Sequence, residues 1–315
     1  MAYRNITLQP GTLWKRVIEQ SEKALELGAL QPIPTEYEFV EQEGMTFLVR
    51  IISNLARKEE AKKKSTEQKA FNPFLPYEED LFVSDISQTH LCLLNKYNVV
   101  DHHLLIITRL FEDQDSWLTL EDFEALWATL AEIDGLAFYN GGRVAGSSQQ
   151  HKHLQLVPLP LSPIGEKIPI YPAIASTVFE PNLIGRSLYL PFIHAIAKLN
   201  PDGINSPIDA AATSLALYYQ LLKSVGLIED EIKSPKQTGP YNLLATREWM
   251  MIIPRRQELF QSISVNSLGF AGALLAKNSE QMQFIKDYGP LTILKEVSLN
   301  RQEALLQEKT GKMTQ

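Results

Sequence analysis

The sequence predicts an α+β protein built on an antiparallel sheet with helices flanking it. Three observations carry this. Two apolar runs of strand length, 89–96 (THLCLLNK) and 102–109 (HHLLIITR), are separated only by a polar turn around Tyr97 and Asn98, a β-meander pattern. A second pair of runs, 241–256 (YNLLATREWMMIIPRR), reads as a hairpin with Arg247 and Glu248 at its turn. Strands and helices do not alternate in a regular βαβ order, which argues against a doubly wound parallel sheet.

Each element follows from local pattern. Residues 12–27 place Leu13, Val17, Ala24 and Leu25 near one helical face and stop at Gly28. Residues 36–52 read as two strands around Gly44. Residues 56–70 (ARKEEAKKKSTEQKA) are almost wholly charged and small, a solvated helix or mobile loop whose Lys62, Lys63, Lys64 and Lys69 can close over an anion. Pro73 and Pro76 make 71–83 (FNPFLPYEEDLFV) extended or turning. In 119–133 (TLEDFEALWATLAEI), Phe123, Leu126, Trp127 and Leu130 fall at i, i+3, i+4 and i+7, with Thr119 as N-cap and Asp122 three residues on. A strand at 136–142 leads into a Gly/Ser loop and a further strand at 151–159. A proline-rich connector (158–173), a helix closed by Gly226 (208–226), the hairpin and a mostly helical tail from Asn266 complete the chain.

With 315 residues, 44% of them hydrophobic, the chain can bury roughly 75% of its unfolded surface. A net charge of −7 and a pI near 5.5 exclude a general nucleic-acid or anionic-membrane binder, so any positive charge for an anionic ligand must be local. The one cysteine, Cys92, lies in an apolar run, which excludes an internal disulfide framework and a cysteine-based zinc site. The N-terminus has no apolar signal region and no run approaches the ~20 residues of a membrane span, so a soluble cytoplasmic protein is expected.

The chemistry concentrates in 141–160 (GGRVAGSSQQHKHLQLVPLP). As a strand, 151–157 puts His151, His153, Gln155 and Val157 on one face and Lys152, Leu154 and Leu156 on the other, with alternate residues ~6.6 Å apart. A purely structural strand does not need two imidazoles and an amide in a row. The loop before it has the Gly-x-x-x-x-Gly spacing of a P-loop in Gly141 and Gly146, but Ser147 and Ser148 stand where Lys-Ser/Thr would, and a strand follows where a P-loop opens a helix. A Walker-type NTPase is therefore rejected, while glycine N–H groups and serine hydroxyls still suit phosphate. The stripe fits three uses: metal ligation, a satisfied structural pair, or nucleophilic attack on phosphorus by His153 between donors His151 and Gln155. Asp101-His102-His103 looks like a metal cluster and reads better as a turn entering a strand.

The stretch GSSQQHKHLQ is similar to the Gly-x-Ser-x-x-His-x-His-x-Gln pattern of the nucleotidyltransferase branch of the histidine-triad superfamily, which includes galactose-1-phosphate uridylyltransferases and diadenosine tetraphosphate phosphorylases (ATP adenylyltransferases). From about Phe71 to about Leu275 the chain resembles the phosphorylases. The resemblance implies a histidine-triad-like part over 1–175 and an adenylyltransferase region over 176–315, packed on it or continuous with it. It implies phosphorolysis of diadenosine tetraphosphate to ATP and ADP through an AMP–histidine intermediate, with Mg²⁺ carried by the nucleotide, small-molecule partners only (dinucleoside polyphosphate, ATP, ADP, phosphate) and no oligomeric state fixed. His153 matches the nucleophile, with His151 and Gln155 beside it. Asn140, Ser147 and Ser148 fall where the family binds phosphate. Asn95 is the candidate for ribose, and Asn72 and Phe74 for adenine. Thr246, Arg247 and Lys69 are candidates for the distal phosphates; Arg143, Lys152, Arg255 and Arg256 are further cations that a cleft would need, although alternation turns Lys152 away from His153. The rival readings are a uridylyltransferase, a hydrolase using water as acceptor, and a non-catalytic nucleotide sensor.

Overall fold

Short apolar strands with period two produce a sheet with two usable faces, and both are used. The computed structural model describes residues 6–52, 72–229, 232 and 234–299. Its central sheet contains β3 (Phe82–Asp85), β4 (His90–Leu94), β5 (Leu104–Thr108), β6 (Gly135–Gly141), β7 (His153–Pro158), β8 (Val178–Phe179), β9 (Ile184–Arg186), β10 (Ala195–Lys198), β11 (Tyr241–Ala245) and β12 (Trp249–Pro254). The order is β3-β4-β5-β7-β6-β11-β12-β10-β9-β8, and every adjacent pair is antiparallel. The sheet runs without a break from the first part of the chain into the second. At the junction β6 pairs with β11, and Asn140 stands opposite Asn242.

One face is mainly apolar, with a buried polar cluster of His90, Lys152 and Asp122 set into it. Cys92, Leu94, Leu104, Ile106, Leu154, Leu156, Ala137, Tyr139, Leu243 and Met250 pack there against α1 (Leu13–Glu26), α2 (Leu120–Glu132) and α4 (Pro207–Ser224). Each fully buried leucine contributes about 1.5–3 kcal/mol relative to exposure. The capping box expected at α2 forms: the Thr119 N–H donates to Asp122 Oδ2 (2.7 Å) and the Asp122 N–H to Thr119 Oγ1 (3.4 Å).

The opposite face is covered in two pieces. Near β4 and β5, Leu91, Leu93, Leu105 and Ile107 pack on Phe74. Further along, Phe138, Val157, Leu244, Met251 and Ile253 pack on a second layer. That layer holds α3 (Tyr171–Ala175), a two-stranded ribbon of β13 (Leu259–Phe260) and β14 (Ile263–Ser264), α5 (Ser267–Phe270), α6 (Ser279–Tyr288), α7 (Pro290–Val297) and a three-stranded sheet. In that small sheet β1 (Thr35–Gln42) pairs antiparallel with β2 (Met45–Ile52), and β2 pairs in parallel with β15 (Ala273–Ala276). The tail expected to be mostly helical thus contains a strand. Its four residues are too few to show a period, and its partner lies far upstream in sequence. No helix among the described residues is long and apolar enough to cross a membrane.

Candidate active site

Between the two covers the sheet is left open, and a cavity of about 510 Å³ stands over β5, β6 and β7. This is an ordinary size for a small-molecule site. Its floor is the polar stripe: His153 and Gln155 from β7, His103 at the entry to β5, and Asn140 from β6. Alternation does place Lys152, Leu154 and Leu156 on the other face.

His153 is 4% exposed and its ring is fixed at one end. Nδ1 lies 2.8 Å from the backbone carbonyl of His151. A carbonyl only accepts, so the proton sits on Nδ1 and Nε2 carries a free lone pair. Burial pulls the imidazole down to about 4, so the ring is neutral at physiological pH. Phe74 packs edge-on against it, with centroids 5.4 Å apart. The strand itself is set by Gln114: the His153 N–H donates to Gln114 Oε1 (2.8 Å), and Gln114 Nε2 donates to the carbonyls of Asn140 (2.9 Å) and His153 (3.2 Å).

Gln155 is oriented by a short chain of amide and imidazole. Asn95 Nδ2 donates to His103 Nδ1 (3.2 Å), which leaves the proton on Nε2 to donate to Gln155 Oε1 (2.9 Å). The Gln155 NH₂ is then turned away from its only acceptor end and is free to donate. Burial also pulls His103 down to about 4, consistent with a neutral relay. Residue 103 marks the start of β5 as expected, but it is a member of the site rather than a plain turn residue.

The Gly/Ser loop closes one side. Gly142 and Gly146 have φ of 86° and 92°. A Cβ on Gly146 would stand 2.9 Å from both the Val265 carbonyl and the Asn266 Cβ, so the loop lies flush against the C-terminal layer only because that residue is glycine. The Ser147 hydroxyl donates to the Gln149 carbonyl (2.9 Å) and shapes the loop, while Ser148 lines the cavity.

On the open side stand cations from the small sheet. Arg50 on β2 and Lys277 just after β15 line the cavity, together with Lys96, which is bonded to Glu78 (2.6 Å). Arg50 Nε is buried without a hydrogen-bond partner. Burial lowers its guanidinium, with Asp101 acting in the opposite direction. A half-buried cation with an unmet donor beside a cavity is suited to an anionic ligand.

A family model described as the Ap4A phosphorylase N-terminal domain matches residues 3–176, and one described as the ATP adenylyltransferase C-terminal domain matches residues 188–300. The chain belongs to the Ap4A phosphorylase family. It is 30% identical over 261 residues to diadenosine 5',5'''-P1,P4-tetraphosphate phosphorylase 2 of Saccharomyces cerevisiae, covering 75% of this chain and 78% of that protein. It is 24% identical over 300 residues to protein APA1 of the same yeast, covering 86% and 88%. The crystal structure of yeast Ap4A phosphorylase Apa2 superposes with a TM-score of 0.75 at 22% identity, over 93% of this chain and 99% of that one, and shows the shared fold.

Within this member of the Ap4A phosphorylase family, the residues singled out in the sequence separate into two groups. Asn95, Asn140, Ser148, His153, Gln155 and Phe74 meet at the cavity. Others stand behind it or elsewhere. His151 Nε2–H donates to the Thr108 carbonyl (2.7 Å), and its Nδ1 accepts from Asn72 Nδ2 (3.1 Å), so both ring nitrogens are engaged and its contribution is the carbonyl that orients His153. Asn72 holds His151 and accepts from the Phe74 N–H (3.0 Å) instead of reaching a base. Thr246 accepts from the N–H groups of Glu248 and Trp249 and shapes the hairpin turn. Arg247 donates to the carbonyls of Leu130 (2.8 Å) and Ala131 (3.3 Å) at the end of α2, on the helical side of the sheet. Those free carbonyls at a helix C-terminus attract a cation without any ligand.

Of the further cations, Lys152 is 0% exposed and bonded to Asp122 (2.6 Å) and Glu112 (3.1 Å), Arg255 is buried behind Asn242, and Arg143 and Arg256 are exposed away from the cavity lining. Lys69 lies outside the described residues, as do Lys62, Lys63 and Lys64. The residues missed from sequence are His103, Gln114, Arg50 and Lys277.

Proposed function

We propose that this protein phosphorolyses diadenosine tetraphosphate to ATP and ADP through an AMP–histidine intermediate on His153. The observation that carries the reading is a neutral imidazole, its proton committed to the His151 carbonyl, whose bare Nε2 belongs to a cavity with amide donors beside it and cations at its rim. In the first step the Nε2 lone pair forms an N–P bond to an α-phosphorus, the P–O bond to the polyphosphate breaks, and ATP leaves with that electron pair. In the second step an oxygen of inorganic phosphate attacks the same phosphorus. A P–O bond forms, the N–P bond breaks, its electrons return to Nε2, and ADP leaves. The proton stays on Nδ1 throughout, donated to the His151 carbonyl, and that hydrogen bond steadies the imidazolium formed between the steps.

The same burial that lowers His153 disfavours the cationic adenylyl-imidazolium and makes neutral imidazole a good leaving group from it, which suits an intermediate that must be passed on. Gln155 holds no proton to exchange, so it serves as a donor to phosphate oxygen and supplies no general base for water. That favours an anionic acceptor. Arg50 and Lys277 are the counter-charges for the polyphosphate, in place of Thr246 and Arg247. Among the described residues no cluster of three or more metal-ligating side chains forms, and Glu78, the acidic residue on the cavity wall, is already paired with Lys96. Mg²⁺ would enter with the nucleotide and offset the negative charge of its polyphosphate.

The test is to incubate the protein with dinucleotide labelled on the α-phosphate, quench in base and digest. Label on the peptide containing His153, stable in base and lost in acid, is expected. His153→Ala abolishes turnover while retaining nucleotide affinity. Turnover that needs no phosphate would favour a hydrolase, preference for UDP-glucose would favour a uridylyltransferase, and label on no peptide under any quench would overturn the mechanism.

A further inference from the structure

Asn140 lines the cavity from β6, yet the orientation of its amide is set from the C-terminal part of the chain. Its Oδ1 lies 3.0 Å from the backbone N–H of Ser267, 2.8 Å from Ser267 Oγ and 2.8 Å from Asn242 Nδ2. A backbone N–H can only donate, so the atom it faces must be the carbonyl oxygen. Asn242 is settled by the same logic. Arg255 Nη1, which can only donate, lies 2.6 Å from Asn242 Oδ1, so Asn242 turns its NH₂ the other way, and its two N–H groups are shared among Asn140 Oδ1, Ser267 Oγ (2.9 Å) and the Ala145 carbonyl (2.9 Å). Arg255 is 3% exposed, is held by the carbonyls of Val297 and Gln257, and packs over the Phe270 ring at 5.2 Å. With its oxygen facing the Ser267 N–H, the Asn242 NH₂ and a Ser267 hydroxyl whose proton is shared with the Tyr139 carbonyl (3.1 Å), Asn140 has only its NH₂ left for the cavity.

We propose that Arg255, Asn242 and Ser267 are positioning residues that lock Asn140 with its NH₂ toward the cavity, so that it donates to a non-bridging oxygen of the α-phosphate as the adenylyl group passes to and from His153. This rests on the adenylyl-transfer reading above. An unrestrained amide can turn over, and the inverted one would aim a lone pair at an anionic oxygen. Burying a guanidinium is costly, and a guanidinium tied into this chain sets one orientation where a pair of neutral amides would allow two. A preorganised donor at charge that develops in the transition state is worth about 10²–10³ in kcat. The arrangement also gives the second part of the chain a direct task at a nucleophile supplied by the first.

Asn242→Asp is the probing change. It keeps the acceptor for Arg255 and removes the donor to Asn140 without altering volume. Diadenosine tetraphosphate phosphorolysis and thermal melting are measured for Asn242→Asp, Asn140→Ala, the double variant and His153→Ala. The expected result is a kcat lowered at least about tenfold with KM changed less than about threefold, and less than about a twofold further loss when Asn242→Asp is added to Asn140→Ala, because the two act through one hydrogen bond to substrate. Wild-type kcat in Asn242→Asp, or fully additive losses in the double variant, overturns the proposal. If Asn242→Asp melts without cooperativity, Ser267→Ala, which removes one donor and leaves the backbone N–H, is carried through the same cycle and decides it. His153→Ala separates the two readings: retained turnover there sinks adenylyl transfer itself, whereas a dead His153→Ala with additive Asn140 and Asn242 losses sinks only the positioning chain.

Discussion

Gln114 should be the side chain outside the cavity wall on which the placement of His153 most depends. The β6–β7 ladder runs from Gly135 opposite Pro158 to Phe138 opposite Gln155 and does not continue to Asn140 and His153. The Gln114 amide stands in that gap and takes one N–H and two carbonyls, at 2.8, 2.9 and 3.2 Å, with 3% of its own surface exposed. Gln114→Ala leaves those three backbone groups buried and unmet. At about 1–3 kcal/mol each, discounted because neighbours couple, the loss is about 3–6 kcal/mol, a large part of the 5–15 kcal/mol that keeps a domain folded. Gln114→Glu is the sharper probe. It keeps the oxygen that accepts from the His153 N–H and sets a second oxygen against two carbonyls. Those carbonyls and burial raise its pKa above the ordinary ~4.3. The protonated form can donate, so the variant's deficit is full above its folded pKa and shrinks as pH falls through it. Melting temperature and kcat of variant and wild type are compared from about pH 8 to about pH 5.5. A difference that narrows toward acid in both measurements is expected. A pH-independent deficit, or a Gln114→Ala protein within about 0.5 kcal/mol of wild type, refutes the role, since surface-like changes fall in that range.

Three further outcomes follow from the same geometry. His153 and His103 titrate near 4 when folded and near 6.5 when unfolded, so below pH 6.5 only the unfolded chain gains their protons. Stability is untouched above that pH and falls between 6.5 and 4, by about 2 kcal/mol per histidine at pH 5, a loss that urea denaturation should show halved in His103→Gln. Lys152→Met strands Asp122, whose carboxyl stays near 2 because the His90 hydrogen bond and Lys152 outweigh its burial. A loss of about 3–5 kcal/mol is expected in melting, partly recovered by adding Asp122→Asn. Arg50→Gln and Lys277→Gln should raise KM for the dinucleotide and weaken its salt dependence, whereas Arg247→Ala should leave KM alone and lower stability by about 1 kcal/mol; the reverse pattern would return Arg247 to the polyphosphate.

What was legible in the sequence was whatever depends on neighbours along the chain. Period two in 151–157 separates Lys152, Leu154 and Leu156 from His153 and Gln155, and the structure keeps that division. His151 stays beside His153, with Phe74 packed against both rings, but the strand proper starts at His153 and His151 sits in an isolated bridge with Asp113, where its ring nitrogens are taken by Thr108 and Asn72. What was hidden depends on strand order. Leu105 pairs with Gln155, which brings His103 to the Gln155 amide, and nothing within either segment announces that pairing. Arg50 is hidden more deeply, since the parallel pairing of β2 with β15 joins distant stretches of chain. Yet its segment did carry a signal. MTFLVRII is an apolar strand interrupted by one guanidinium, and burying that group is unfavourable unless an anion meets it. An arginine alone in such a run, in an acidic protein that must hold polyphosphate, is a stronger pointer to the ligand than Arg247, whose hairpin turn offers solvent and the end of a helix as sufficient company.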